Sequence, residues 1–296
     1  MQVDNLNLLK AAASRLATAS VLINALYEAL NEPEIDHERV VKLMSMDIAI
    51  STRLLRLANT ASYNRGVTVT SVEKAIVWLG LSEAYRVTCA TITAKLCEQN
   101  LPLYRISAGR LLYNSVATAV AMEMLAKEAE LDPNTGYTLG LLANLGRLLL
   151  QRLADAHGLP ACGADLPQIA QVLAWERTHL GWNQAEAGAL ILRHWGLNPV
   201  FAGVIACQYD IALAGDATSR RWSALFQVAK TLVAITDYSL GVESDSCVVT
   251  DAIMQEADLP NFDGLLFSAK IATATRELCA DTGVPDPWVR TAGLVA

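Results

Sequence analysis

Gly140-Leu141-Leu142-Ala143-Asn144-Leu145-Gly146 is the stretch on which the reading of this chain turns. Apolar residues run around most of the circumference from Tyr137 to Ala154, which predicts one buried helix over that span. Asn144 is the polar residue in the middle of this run. A buried amide left unpaired costs about 1–3 kcal/mol, so Asn144 must find partners. Taken alone, it reads as a core asparagine satisfied by nearby backbone, as buried polar groups usually are.

Outward from this helix, the composition points the same way. The 296 residues are 53% hydrophobic but only 6% aromatic, a balance set by Ala and Leu that favours helices over strands. Mean hydropathy is +0.29, yet polar residues interrupt every window long enough to span a bilayer. The first residues, Met1-Gln2-Val3-Asp4-Asn5, lack the basic region and cleavage site of a signal peptide. The six cysteines, at 89, 97, 162, 207, 247 and 279, form no Cys-x-x-Cys and read as small buried hydrophobes in a reducing compartment. A cytoplasmic protein is expected. The net charge of −7 opposes nucleic-acid binding, which needs a basic face to displace counterions. Arg53 and Arg56, three apart on one helix, read as a solvated edge.

The first hundred residues predict helix after helix. Asn5 to Leu30 has apolar residues at helical spacing and ends before Pro33. Asp36 and Asp47 each cap a following helix, the second running to about Thr60. Thr70-Ser71-Val72-Glu73 fits a capping box with Glu73 at the third helical position, and Gly80 fits the stop. Another helix spans Ser82 to about Glu98. Gln99 to Gly109 contains Pro102 and Gly109 and reads as a junction. Asp132-Pro133-Asn134 breaks the chain before the central helix. Asp155 to Pro167 reads as a loop and a mobile segment. Helices are expected at 243–257 and 262–280, with a poorly ordered tail from 281 to 296.

Several of these stretches resemble one family. Gly140 to Gly146 is similar to the Gly-Leu-Leu-His-Asp-Ile-Gly signature of HD-superfamily phosphohydrolases, with Ala143 and Asn144 standing at the metal-binding His-Asp pair. Asp47 to Ala61, containing Leu54-Leu55-Arg56-Leu57-Ala58-Asn59, resembles the "LLRLANSA" of the HDOD domain, a bacterial signalling module related to those hydrolases. Val69 to Gly80 resembles the "I-S-x-x-x-A-I-x-x-L-G" that follows it. In this pattern Asn59 is the most diagnostic position, although a helix-end cap would also account for it. Leu112 to Ala119 is similar to "W-x-H-S-x-x-x-A", with Asn114 at the His and Ser115 retained. Trp175 to Pro199 resembles "E-x4-G-x-x-H-x-E-x-G-A-x-L-L-x-x-W-x-L-P". There Gln184 replaces the His, while Glu186, Gly188 and Trp195 are kept. Gln208 and Tyr209 stand at a His-His pair, and Lys230 at the Asp that would give the last ligand.

The resemblance implies an all-α, multi-helix bundle. An N-terminal helical subdomain (1–105) is joined to a degenerate HD-like subdomain with C-terminal helices (106–296). Divalent cations used in phosphate hydrolysis need converging His nitrogens and carboxylate oxygens. Asn114, Ala143, Asn144, Gln184, Gln208, Tyr209 and Lys230 provide neither, and an ammonium would repel a cation. The four actual histidines, at 37, 157, 179 and 194, show no ligand spacing. No nucleophile elbow, Gly-x-Gly-x-x-Gly loop or phosphate-binding loop occurs. No catalytic residue, metal or cofactor is therefore expected. The resemblance implies a non-catalytic regulator that contacts signalling proteins such as kinases, response regulators or diguanylate cyclases. The alternatives are a small-ligand sensor using the vestigial cavity and an atypical metal-dependent phosphohydrolase. The neutral amides are expected to satisfy one another, with Lys230 either reaching solvent or pairing with Glu186.

Overall fold

The structure, a computed structural model, describes residues 2–64, 66–162, 168–240, 249–259, 263–280 and 282, 284, 286 and 287. Among these, the regular elements are all helical. They are α1 (Gln2–Leu30), α2 (His37–Ser45), α3 (Ile48–Ala58), α4 (Val72–Leu79), α5 (Leu81–Leu96), α6 (Ala108–Glu128), α7 (Pro133–Leu142), α8 (Leu145–His157), α9 (Ile169–Leu180), α10 (Gln184–His194), α11 (Pro199–Ala206), α12 (Ala217–Ile235), α13 (Asp251–Ala257) and α14 (Gly264–Cys279). The expected loop segment at 163–167, the start of the helix at 243–257 and most of the tail lie outside the described residues.

Local chemistry sets most of the boundaries. Asp36 accepts from the Arg39 amide, and Asp47 from those of Ala49 and Ile50, so each anchors the open N-terminus of its helix. Gly80 ends α4 and begins α5 at once, at φ 83°, where a side chain would be strained. The expected capping box at 70–73 is corrected: Ser71 is the cap, its hydroxyl accepts from the Lys74 amide, and Glu73 falls at the second helical position. A glutamate there is one residue short of the geometry that reaches back to the cap.

The larger correction concerns the central helix. The expected single helix from Tyr137 to Ala154 is two, α7 and α8, broken at Ala143 and Asn144. Glycines and close packing explain the break. α7 lies against α6 so tightly that a Cβ on Gly140 would stand 2.3 Å from the Ala119 Cα, and one on Gly136 2.6 Å from the Met122 carbonyl oxygen. α8 lies against a different partner, α10. A Cβ on Gly146 would come within 1.7 Å of the Gln184 carbonyl oxygen, and Gly188 faces Gly146 from the other side. One straight helix cannot approach both neighbours this closely, so the chain turns between them.

α6 forms the axis of the core. It is buried from Leu111 to Ala126 apart from Met124 and is covered by α7, α12 and α14. Its small residues, Ala117, Ala119 and Ala121, allow these neighbours to come close. The turn Leu101–Ile106, with paired backbones, leads into α6. α1 packs against α5 from the first hundred residues and against α8 and α10 from the rest. Tyr27 and Thr135 join hydroxyls at 2.8 Å, and Asn5 donates to the Leu180 carbonyl at 3.3 Å. The hydrophobic core is continuous across the chain.

Candidate functional site

Of the positions singled out by the HD resemblance, Asn114, Ala143, Asn144, Gln208, Tyr209 and Lys230 converge where α6, the α7–α8 break, the end of α11 and α12 meet. Asn144 sits at the break, 3% exposed, immediately before α8. Its amide is fully used. The nitrogen donates to Asn114 Oδ1 and to Ser115 Oγ, each at 2.9 Å, and the oxygen accepts from Arg147 Nη1. A guanidinium can only donate, so Arg147 dictates which way Asn144 faces. That orientation propagates: Asn114 presents its oxygen to Asn144 and donates its nitrogen to the Tyr238 carbonyl at 2.9 Å. The local-backbone reading of Asn144 is thus replaced by partners from another helix.

A second chain of contacts begins at Lys230 on α12. This residue is 6% exposed. Its ammonium donates to Gln208 Oε1 at 3.0 Å and lies 3.6 Å from the centre of the Tyr209 ring. Gln208 in turn donates to the Ala143 carbonyl at 3.5 Å. The ring face carries negative electrostatic potential, so it offsets part of the cost of burying this cation. Lys230 therefore neither extends to solvent nor pairs with Glu186. Glu186 instead closes a capping box with Asn183 and pairs with Arg177 at 2.6 Å, because its place at the third position of α10 turns it back toward its own helix start.

Gln184 does not join the amide network. It is 1% exposed, and neither atom of its side-chain amide finds a hydrogen-bond partner among the described residues. Its backbone nitrogen donates to Glu176 Oε2 at 2.8 Å. Glu176 is fully buried and also accepts from the Tyr104 hydroxyl at 2.7 Å. Burial pushes the Tyr104 phenol well above its ordinary value, and the neighbouring Glu176 carboxylate adds to this, while Arg147 opposes it. Gly188 and Trp195 serve packing and helix ending, and Ser115 belongs to the network itself.

Sequence reasoning missed Arg147 and the role of Glu176. Arg147 is 2% exposed in the first turn of α8 and stacks at 5.9 Å over Tyr104. Its signal was a lone cation in a run of leucines. In the same way Arg53, read as part of a solvated edge, is buried and donates to Thr91 Oγ1 at 2.9 Å and to the Leu278 carbonyl. The C-terminal end of α14, at Leu278, reaches it.

The chemistry of the cluster is that of donors and acceptors held in fixed pairs, with two buried cations, Arg147 and Lys230, contributed by the protein. The gap bounded by Asn114, Thr118 and Lys230 has a volume of about 10 Å³, room for roughly one water. Among the described residues, no three His, Cys, Asp or Glu side chains converge as a metal-ion site would require.

The HDOD domain family model matches residues 16–211, and the chain belongs to that family. The chain is 34% identical over 92 residues to the cyclic di-GMP phosphodiesterase CdgJ of Vibrio cholerae. That match takes in 30% of this chain and only 21% of CdgJ. Among solved structures, an HDOD domain protein of unknown function from Geobacter sulfurreducens superposes with a TM-score of 0.63 at 19% identity, over 87% of this chain and 91% of that one. A Shewanella amazonensis protein proposed to be a phosphohydrolase gives 0.54 at 20% identity, over 92% and 96%. At these identities the solved structures show a shared all-helical fold. No described helix is long and apolar enough to cross a membrane.

Proposed function

We propose that this chain is a non-catalytic HDOD regulator of bacterial signal transduction, acting through contacts with other signalling proteins such as kinases, response regulators or diguanylate cyclases. One observation carries the reading. The positions that resemble those where an HD hydrolase holds its metals carry four amides, of which Asn114 and Asn144 bond each other and Gln208 bonds Lys230, together with an alanine, a phenol and a buried ammonium. Hydrolysis of a phosphodiester by a metal centre requires ligands that bind a divalent cation and a water with a lowered pKa. Asn114, Asn144 and Gln208 are already engaged with one another or with backbone, and Lys230 sets a positive charge beside them. A cation entering there would lose to electrostatic repulsion and to broken hydrogen bonds.

The phosphodiesterase named for CdgJ defines the competing outcome, and the test is chosen to detect it. Protein purified without chelator is assayed for bound metals and for hydrolysis of cyclic di-GMP and bis(p-nitrophenyl) phosphate with added Mn²⁺ or Mg²⁺. The expected result is metal well below one equivalent and no turnover above the blank. Stoichiometric iron, manganese or zinc, or turnover abolished by Gln208→Ala, would overturn the reading. Affinity capture from a native bacterial lysate, followed by reconstitution with the purified partner, tests the protein-contact half of the proposal.

A further inference from the structure

α14 lies beyond the family-matched residues 16–211, and its two ends are fastened differently. Its inner face, Phe267, Ser268, Ile271, Thr275, Leu278 and Cys279, is buried, and the helix packs along α6 and α12. The first half is tied to α12, where Ser268 Oγ donates to the Leu232 carbonyl at 3.0 Å. Asp263 caps the start by accepting from the Leu265 and Leu266 amides. The last turn is held from much farther away. A helix leaves its final four carbonyls without partners inside the helix. The Glu277 carbonyl accepts from the Ala280 amide at 3.4 Å, and that of Cys279 accepts from the Thr282 amide and hydroxyl at 3.1 and 2.8 Å. Between them, the Leu278 carbonyl accepts from the guanidinium of Arg53 on α3, 225 residues away in the chain. The same guanidinium donates to Thr91 Oγ1 on α5 at 2.9 Å. One side chain thus joins the end of α14 to both α3 and α5, and its charge lies at the negative end of the α14 dipole.

The seam around this junction is open on both sides. A cleft of about 490 Å³ lies on the Thr91 side, between α3 and α5, and reaches Val284 beyond α14. A second cleft, of about 440 Å³, lies on the Leu278 side, where Leu57 and Tyr63 stand across from Ala274 of α14. Arg53 lines both, so its buried guanidinium is the partition between them. An element flanked by open space has few buried neighbours to lose. Such elements open at a free energy below that of global unfolding unless a specific contact holds them.

We propose that the last turn of α14 is a latch that Arg53 holds closed against α3 and α5. Its release uncovers Leu278 and Cys279 and joins the two clefts into one groove across α3, α5 and α14. The first half of α14 stays in place, because α6, α12 and the Asp263 cap hold it independently of Arg53. The inference does not depend on whether the HD-like cluster is catalytic.

Cys279 lies in this turn, fully buried, and reports on the latch; Cys89, fully buried on α5, reports on the core. Modification of each by Ellman's reagent is followed site by site by mass spectrometry in the full chain with Cys247→Ser. Arg53→Met keeps the apolar stem and removes the donor fork. In this variant Cys279 is expected to react in native buffer at least about tenfold faster than in the parent, the loss of a charged hydrogen bond. The rate should change little with low denaturant, as local opening exposes little surface, while Cys89 reacts only as the protein unfolds globally. Thr91→Val removes the α5 partner while keeping the side-chain volume, and is expected to speed Cys279 in the same manner by about threefold. It decides the question should Arg53→Met fail to fold. Cys279 reactivity that keeps pace with Cys89 and rises steeply with denaturant would overturn the proposal, since Arg53 would then contribute to global stability alone.

Discussion

Asn59 shows how one side chain can organise a loop. It ends α3, and its amide donates to the carbonyls of Leu55 and Val69 while its oxygen accepts from the Val69 amide, all at 2.8 Å. The Val69 pair imitates a strand partner, and it holds the return of the chain from α3 to α4. Leucine would fill the same space with neither donor nor acceptor. Asn59→Leu is expected to cost about 1–3 kcal/mol, since it strands the backbone groups of Val69. For a chain of this size that amounts to several degrees of melting temperature by calorimetry or circular dichroism. An unchanged melting curve would show that water replaces these bonds without loss. Asn144 and Arg147 follow the same logic deeper in the core, where the donor-only guanidinium sets the orientation of two amides.

Between elements, the closest approaches are made through glycine. The crossing of α8 and α10 is set by Gly146 and Gly188, with the Gln184 carbonyl standing where a Gly146 side chain would be. The obstacle is backbone, so it cannot rotate away. Gly146→Ala is expected to lower stability by about 1–3 kcal/mol or more, as overpacked cores do. Gly215→Ala, with nothing within 4 Å of the added carbon, serves as the control and should stay within about 0.5 kcal/mol of the parent. Denaturant titration of the two variants measures the contrast, and equal midpoints would contradict the crossing described above. The glycine-spaced turn between α7 and α8 also places Asn144, because it swings the residue out of one helix and against α6.

At the scale of the molecule, one continuous core should open as a unit. Cys89, Cys97, Cys162, Cys207 and Cys279 are all buried free thiols within the described residues. Burial pushes Cys97 up to about 12, against a hydrogen bond from Ser115 that lowers it, and burial likewise takes Cys279 up to about 12. At pH 8 both are then protonated and unreactive in the folded state, because the thiolate is the nucleophile. In a Cys247→Ser background, Ellman's reagent is expected to modify Cys97 and Cys279 only as fast as the protein unfolds globally, with rates that track denaturant. Rapid modification in native buffer would instead reveal local opening between α5 and α14.

Read alone, the sequence determined the helical class, the starts of the capped helices α2 and α3, and the family frame. Caps such as Asp36 and Asp47 act on amides two or three residues away, and helical periodicity is a local property. The residue types at the positions that resemble the HD pattern were equally legible, since these are read from the sequence directly. Tertiary structure alone decided the rest. It broke the central helix at Asn144, because two neighbouring helices compete for the glycines on either side. It buried Arg53, Arg147 and Lys230, because what covers a cation comes from elements far away in the chain: α14, the turn at Tyr104, and Gln208 with Tyr209. It separated Gln184 from the other amides, because its backbone is held against Gly146 and Glu176. Spacing along a chain reports what one helix presents; which charge another helix covers is set only when the two pack together.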